Sequence, residues 1–172
     1  SNLFKDKTSF NDDIGNWNTS LVRNMWNMFR SAYAFNQDIG AWYTSNVTNM
    51  VSMFSDAISF NNNGFNFGNW DTSNVTNMSS MFSGTSVFNQ DIGRWQTQNV
   101  TNMSYMFNSA SVFNQDIGGW QTQNVTDMNA MFRNAYAFNQ NIGSWTVSNV
   151  NNMNSMFGWA YAFNQNISAW DV

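Results

Sequence analysis

Apolar positions recur along this chain in fixed columns. The stretch 88–112, FNQDIGRWQTQNVTNMSYMFNSASV, is followed at once by a near copy, FNQDIGGWQTQNVTDMNAMFRNAYA, and the same word returns with small changes throughout. Its Trp falls at Trp17, Trp42, Trp70, Trp95, Trp120, Trp145 and Trp170, at intervals of 25, 28, 25, 25, 25 and 25 residues. Met25, Met50, Met78, Met103, Met128 and Met153 form one Met column, and Met28, Met53, Met81, Met106, Met131 and Met156 form the other. Self-similarity at a fixed spacing of this length is the signature of stacked repeats, in which neighbouring units bury each other's apolar faces.

Each unit divides in two. In NVTNMxxMFxxA, the positions Val75, Met78, Met81, Phe82 and Thr85 are spaced by three, three, one and three residues, which predicts one face of a short helix. Thr72, Ser73 and Asn74 stand where its N-cap belongs. A helix of about ten residues does not stand alone in water, so packing must hold it. In FNQDIGxW, Phe88 and Ile92 share strand parity, which predicts a short parallel strand per coil. The expected architecture is a right-handed α/β solenoid, a leucine-rich-repeat-like stack of about seven 25-residue coils, each a short strand plus a short helix. The alternative is a β-solenoid in which the Met–Met–Phe segment is also extended. Residues 1–172 are expected to form a single repeat domain, a fragment of a longer chain without terminal caps. Three additional residues at 62–64, in SFNNNGFNFGNW, are expected to bulge on a loop without breaking the stack.

Composition narrows the function. Only 9% of residues are charged, so Asn, Gln, Ser and Thr carry the polarity, while 17% aromatic content supplies a core and argues against disorder. A net charge of −4 lacks the basic footprint of nucleic-acid or anionic-membrane binding. With no Cys and no His, disulfide frameworks, thiolate chemistry and His-based catalysis are excluded. No apolar run is long enough to span a bilayer. No nucleophile–base pair or paired-carboxylate constellation stands outside the repeat columns, so no enzyme is expected.

The words YTSNVTNM (43–50), DTSNVTNM (71–78) and AFNQDIG (34–40) resemble the repeat of the BspA-family leucine-rich-repeat surface proteins, in the branch found in mycoplasma surface lipoproteins. The resemblance covers about residues 10–172. It implies an extracellular solenoid on a cell surface used for adhesion, and it carries over no catalytic residue. Asn141 and Asn166 in place of Asp, Ser168 in place of Gly and the insertion at 62–64 depart from the pattern.

Several columns are candidates for chemistry. Asp13, Asp38, Asp91 and Asp116 form an acidic column that calcium would relieve of its repulsion. The plain reading is turn-capping carboxylates, which Asn141 and Asn166 favour. Thr19, Thr44, Thr72, Thr97 and Thr122, with a second row at Thr48, Thr76, Thr101 and Thr126, offer either an ice-binding surface or ordinary turn caps. Asn36, Asn89, Asn114, Asn139 and Asn164 suggest an amide ladder up the stack. Sequons at Asn46, Asn74, Asn99 and Asn124 follow from the repeated triplet. The seven Trp in register read as a core spine. Trp26 and Trp159 fall outside that register, and with Tyr33, Tyr136 and Tyr161 they are the expected exposed contact residues.

The expected function is therefore a non-enzymatic cell-surface binding or adhesion module for a protein or glycan. A structural spacer or, less favoured, an ice-binding surface is the alternative. No cofactor is required unless calcium binds the Asp column. An uncovered end coil also suggests end-to-end self-association.

Overall fold

The computed structural model describes residues 1–172 and overturns the strand-plus-helix coil. The regular structure amounts to one 3-10 turn, Asn62–Gly64, and isolated parallel bridges joining Asn24, Asn49, Asn77, Asn102, Asp127 and Asn152 in succession. There is no α-helix and no sheet, so neither the leucine-rich-repeat solenoid nor the fully extended alternative describes the protein. The bridges divide the chain into seven layers: 1–23, 24–48, 49–76, 77–101, 102–126, 127–151 and 152–172.

The Met–Met–Phe segment shows why the helix fails. The N–H groups of Met25, Asn27, Phe29 and Ser31 donate to the carbonyls of Asn49, Val51, Met53 and Ser55 in the next layer, at 2.8–2.9 Å. The intervening N–H groups of Met28, Arg30 and Ala32 donate within the layer to Met25, Asn27 and Phe29, at 3.0–3.2 Å. A helix would turn every N–H onto the carbonyl four residues earlier. Here alternate groups face the neighbouring layer, and the chain bends through a train of overlapping four-residue turns. Left-handed residues make the alternation possible: Asn27 and Ser31 have φ of 53° and 57°, and Ser52 with Asp56, Ser80 with Gly84, and Tyr105 with Ser109 repeat the pair. A run of such turns produces the same apolar spacing as a helix, which is why the pattern misleads.

The predicted FNQDIG strand is also absent, and side chains bind it to its neighbours. Asn36, Asn61, Asn89, Asn114, Asn139 and Asn164 each donate a backbone N–H to the side-chain oxygen of the equivalent Asn one layer earlier, at 2.8–3.0 Å. The Asn ladder thus exists, pairing amide oxygen with backbone N–H at every layer, with amide-to-amide bonds added where the Nε2 of Gln140 and Gln165 donates to Oδ1 of Asn114 and Asn139 at 2.9 Å. The 72 backbone–backbone hydrogen bonds fall well short of the roughly 0.7 per residue usual in folded chains. Polar side chains make up the deficit, and this explains a chain rich in Asn and Thr and poor in charge.

The core is one cluster of 41 buried apolar side chains. Each layer contributes two Phe rings stacked 3.8–4.1 Å apart, Phe29 on Phe35 being one pair. Like rings in successive layers sit 5.5–6.1 Å apart. Trp42, Trp70, Trp95, Trp120 and Trp145 are buried in the spine, whereas Trp17 is exposed. The indole N–H of Trp42, Trp70, Trp120, Trp145 and Trp170 donates to an Ile carbonyl of the preceding layer at 3.0–3.1 Å.

Layer three absorbs its additional residues partly inward. Asn62 is fully buried, accepts the Ile39 N–H at 2.8 Å and donates to Asp38 and to the Phe65 carbonyl, both at 3.1 Å. Phe67 takes the place that Ile holds in other layers and meets Phe60 and Phe88 edge-on. The insertion is therefore part core and part loop, with Asn63 to Asn66 exposed. No helix is long and apolar enough to cross a membrane.

Candidate binding face

The expected contact residues divide between the two ends of the stack. Trp26 and Tyr33 lie exposed in layer two, while Tyr136 in layer six and Trp159 and Tyr161 in layer seven lie together. The rings of Tyr136 and Tyr161 stack 5.8 Å apart, 10° from parallel. The guanidinium of Arg133 lies 4.8 Å from the centre of the Trp159 ring, a cation–π contact. Tyr161 remains 78% exposed and Trp159 54%.

Trp159 is also held at a φ of 57°. The equivalent positions are Ser31, Asp56, Gly84, Ser109 and Asn134, residue types that tolerate left-handed backbone. A bulky residue there carries about 1 kcal/mol or more of strain. The Tyr column varies from layer to layer, holding Tyr33 and Ile58 in layers two and three and Ser86 and Ser111 in layers four and five. Arg133 is not among the expected contact residues, because a lone Arg in the sequence reads as an ordinary solvated charge. The available signal was that Arg133 and Trp159 occupy neighbouring columns in adjacent layers.

The other candidate columns serve the fold. Asp13, Asp38, Asp91 and Asp116 each accept, through Oδ1, the N–H of the Gly two residues on, at 2.9–3.0 Å. Asn141 and Asn166 do the same for Gly143 and Ser168, which is the turn-capping role. No group of three or more acidic, His or Cys side chains is placed to hold a metal ion. Thr19, Thr44, Thr72, Thr97 and Thr122 are buried, each hydroxyl donating to a carbonyl of the next layer at 2.9–3.1 Å, so this row does not face water. Thr48, Thr76, Thr101 and Thr126 are exposed, but their hydroxyls donate to the preceding layer. Asn46, Asn74, Asn99 and Asn124 likewise donate to carbonyls of the preceding layer.

A family described as a Mycoplasma protein of unknown function, DUF285, matches the chain over residues 1–68 and again over 64–170. The chain belongs to this family. The two DUF285 matches meet at 64–68, within the segment that carries the insertion of layer three. Comparison with curated proteins and with solved structures found no match. Kinship to DUF285 fits a mycoplasma-type repeat protein and assigns no activity to any residue.

Proposed function

We propose that this DUF285 protein is a non-enzymatic binding module displayed outside the cell, which engages a glycan or protein on another surface. The observation that carries the reading is the aromatic patch of Arg133, Tyr136, Trp159 and Tyr161. Three of these side chains are large, exposed and aromatic on adjacent layers, and Trp159 stands on strained backbone in a column that elsewhere holds Ser, Asp, Asn or Gly. Strain retained at an exposed residue favours a role in contact over a role in folding. Tyr, Trp and Arg dominate the energetics of recognition surfaces: Tyr and Trp offer large contact area with few rotamers to fix, and Arg offers a planar fork of donors. The likeness of the repeat words to BspA-type surface proteins supports the extracellular placement.

The test is a screen of the purified chain against arrayed glycans and extracellular-matrix proteins, repeated with Tyr136→Ser, Trp159→Ser and Tyr161→Ser combined. Ser stands in each of these columns in another layer, so the stack accommodates it. The hits should weaken by about tenfold or more in the triple variant. Undiminished binding would remove the patch from the account. The spacer reading keeps one observation in its favour, the hydrogen-bonded ladder that crosses every layer boundary. A blank screen with the unaltered chain would favour it.

A further inference from the structure

The geometry points to a second ligand site, in the groove between layers three and four, that takes a neutral saccharide unit through hydrogen bonds. The groove has a volume of about 510 Å³ and is lined by Gly68, Asn69, Asp71, Ser73, Arg94 and Gln96 around the edge of Trp70. It is a shallow, open groove with polar walls, unlike the enclosed and mostly apolar clefts that bury small ligands, so a ligand there is held by hydrogen bonds along one face. A narrower recess of about 120 Å³ adjoins it, sharing Gly68, Asn69 and Arg94 and adding Asn66 and Asp91.

The polar groups are arranged as a fixed floor and a free arm. Gln96 spans the two layers: its Oε1 accepts the Thr72 N–H at 3.2 Å and its Nε2 donates to the Arg94 carbonyl at 3.0 Å. Asp71 is held through Oδ1, which accepts from the N–H and hydroxyl of Ser73 at 3.0 and 2.6 Å, so Oδ2 is left for a ligand. The Arg94 guanidinium makes no ion pair, the sole pair in the structure being Lys5 with Asp6 at 4.0 Å. The residues in the Arg94 column are Asn16, Ala41, Asn69, Gly119, Ser144 and Ala169, so Arg94 is the one charge in it. It stands beside the layer that carries the insertion.

A second irregularity marks the same junction. The Trp95 indole is 3% exposed, yet its N–H has no acceptor, unlike the five spine Trp that bond to an Ile carbonyl. The layer beneath it is layer three, where Phe67 stands in the Ile position. The bonding pattern that closes the other spine contacts is thus left open at this junction.

The mixture of groups selects the ligand. Asp71 in the groove and Asp91 in the adjoining recess offer acceptors, and Arg94 and Asn69, which line both, offer donors. Sugar hydroxyls both donate and accept, so a polyol uses the whole set. Two carboxylates against one guanidinium disfavour uronates, sialates and phosphates, because an anion meets net negative charge. The guanidinium in turn disfavours a metal ion. Trp70 is 1% exposed, so the groove offers no apolar pocket to an anchoring peptide side chain.

The experiment is a titration of the chain with methyl glucoside, methyl galactoside, methyl mannoside and N-acetylglucosamine, with sodium glucuronate as the charged comparison. It is followed by amide and side-chain NMR shifts, with the resonances of Trp70, Arg94 and Gln96, which line the groove, as reporters. One neutral sugar should saturate in the millimolar range, and Arg94→Ser and Asp71→Gln should each weaken it about tenfold or more. Both replacements are residues that other layers carry in those columns, at Ser144 and at Gln96 and Gln121, so the fold tolerates them. The triple Ser variant of the aromatic patch should leave this binding unchanged, which separates the two sites. No saturation by any neutral sugar, retention of binding in Arg94→Ser, or tighter binding of glucuronate would each overturn the proposal.

Discussion

Gly118 and Gly119 are adjacent in sequence and should respond in opposite ways to the same change. A Cβ placed on Gly118 would lie 2.5 Å from the backbone carbonyl oxygen of Asn141 in the next layer. Ordinary carbon–oxygen contact lies nearly 1 Å farther out, and a carbonyl built into a hydrogen-bonded layer cannot swing aside as a side chain does. Gly118→Ala must therefore pry layers five and six apart locally, at the overpacking cost of about 1–3 kcal/mol. Against this stands a gain of about 0.4–1 kcal/mol from restricting the unfolded chain, available because Gly118 does not sit at positive φ. The net expectation is a loss of about 1–2 kcal/mol, a fall in melting temperature of roughly 3–8 °C at this size. A Cβ on Gly119 meets nothing within 4 Å, so Gly119→Ala keeps only the favourable part and should raise stability by about 0.4–1 kcal/mol. Urea and thermal unfolding of the two variants, read as shifts from the parent, make the comparison without assuming two-state behaviour in a repeat stack. A neutral Gly118→Ala, or equal shifts in both variants, would refute the close-approach reading of this column.

Other expectations follow from the ladders. Thr97→Val should destabilise by about 2 kcal/mol, because the buried hydroxyl both donates to the Gln121 carbonyl and accepts its N–H; Thr97→Ser should recover most of the loss in the same urea series. Asp116→Asn should move the melting temperature by no more than about 0.5 kcal/mol equivalent, since Asn141 makes the same bond one layer on, and calcium or a chelator should leave the curve in place; a calcium-dependent midpoint would reopen the acidic column. Far-ultraviolet circular dichroism should lack the helical double minimum, and its presence would restore the helix to the Met–Met–Phe segment. An identical copy seated in register on layer seven would press a backbone carbonyl onto Cβ of Ser168, as the Gly93 and Gly118 contacts of 2.5 Å imply. Sedimentation should therefore show no end-to-end growth for the parent chain and concentration-dependent growth for Ser168→Gly, and growth by the parent would contradict the steric argument.

The columns of the fold were legible, and its backbone was not. Met78, Met81 and Phe82 had to face inward whatever the local conformation, because a repeat can bury only what it repeats, and the Trp register likewise located the spine. What the apolar spacing could not distinguish is a helix from a train of turns, since both return the chain to one face every three to four residues. The separating signal lies in the polar positions between the apolar ones. Asn27, Ser52, Ser80 and Ser155 in one column, interrupted by Tyr105 and Ala130, with Ser31, Asp56, Gly84, Ser109 and Asn134 four residues on, are mostly small polar types or Gly, which enter the left-handed region or favour turns. Two such columns at that spacing are wrong for a helix interior and right for paired turns. The same lesson holds for the strand, whose Gly column is a point of close layer approach rather than a strand end.

The candidate sites were legible to the extent that they break the repeat. Trp159 stands out because its column holds small residues elsewhere, and the structure gathers it with Tyr136 and Tyr161, whereas Tyr33, in the same column as those two Tyr, lies with Trp26 at the far end. Arg94 obeys the same logic, but one Arg among few charges reads as solvated until its column is compared. In a stack where each layer is a template for the next, the uniform columns are committed to holding neighbours: Asn to backbone N–H, Thr to carbonyl, Gly to close approach. A residue that abandons its column's bonding gives up part of that cohesion. The two places where departures cluster, Arg133 to Tyr161 and the insertion with Arg94 and Trp95, are therefore where binding should be sought, and the uniform Asp and Thr rows are where it should not.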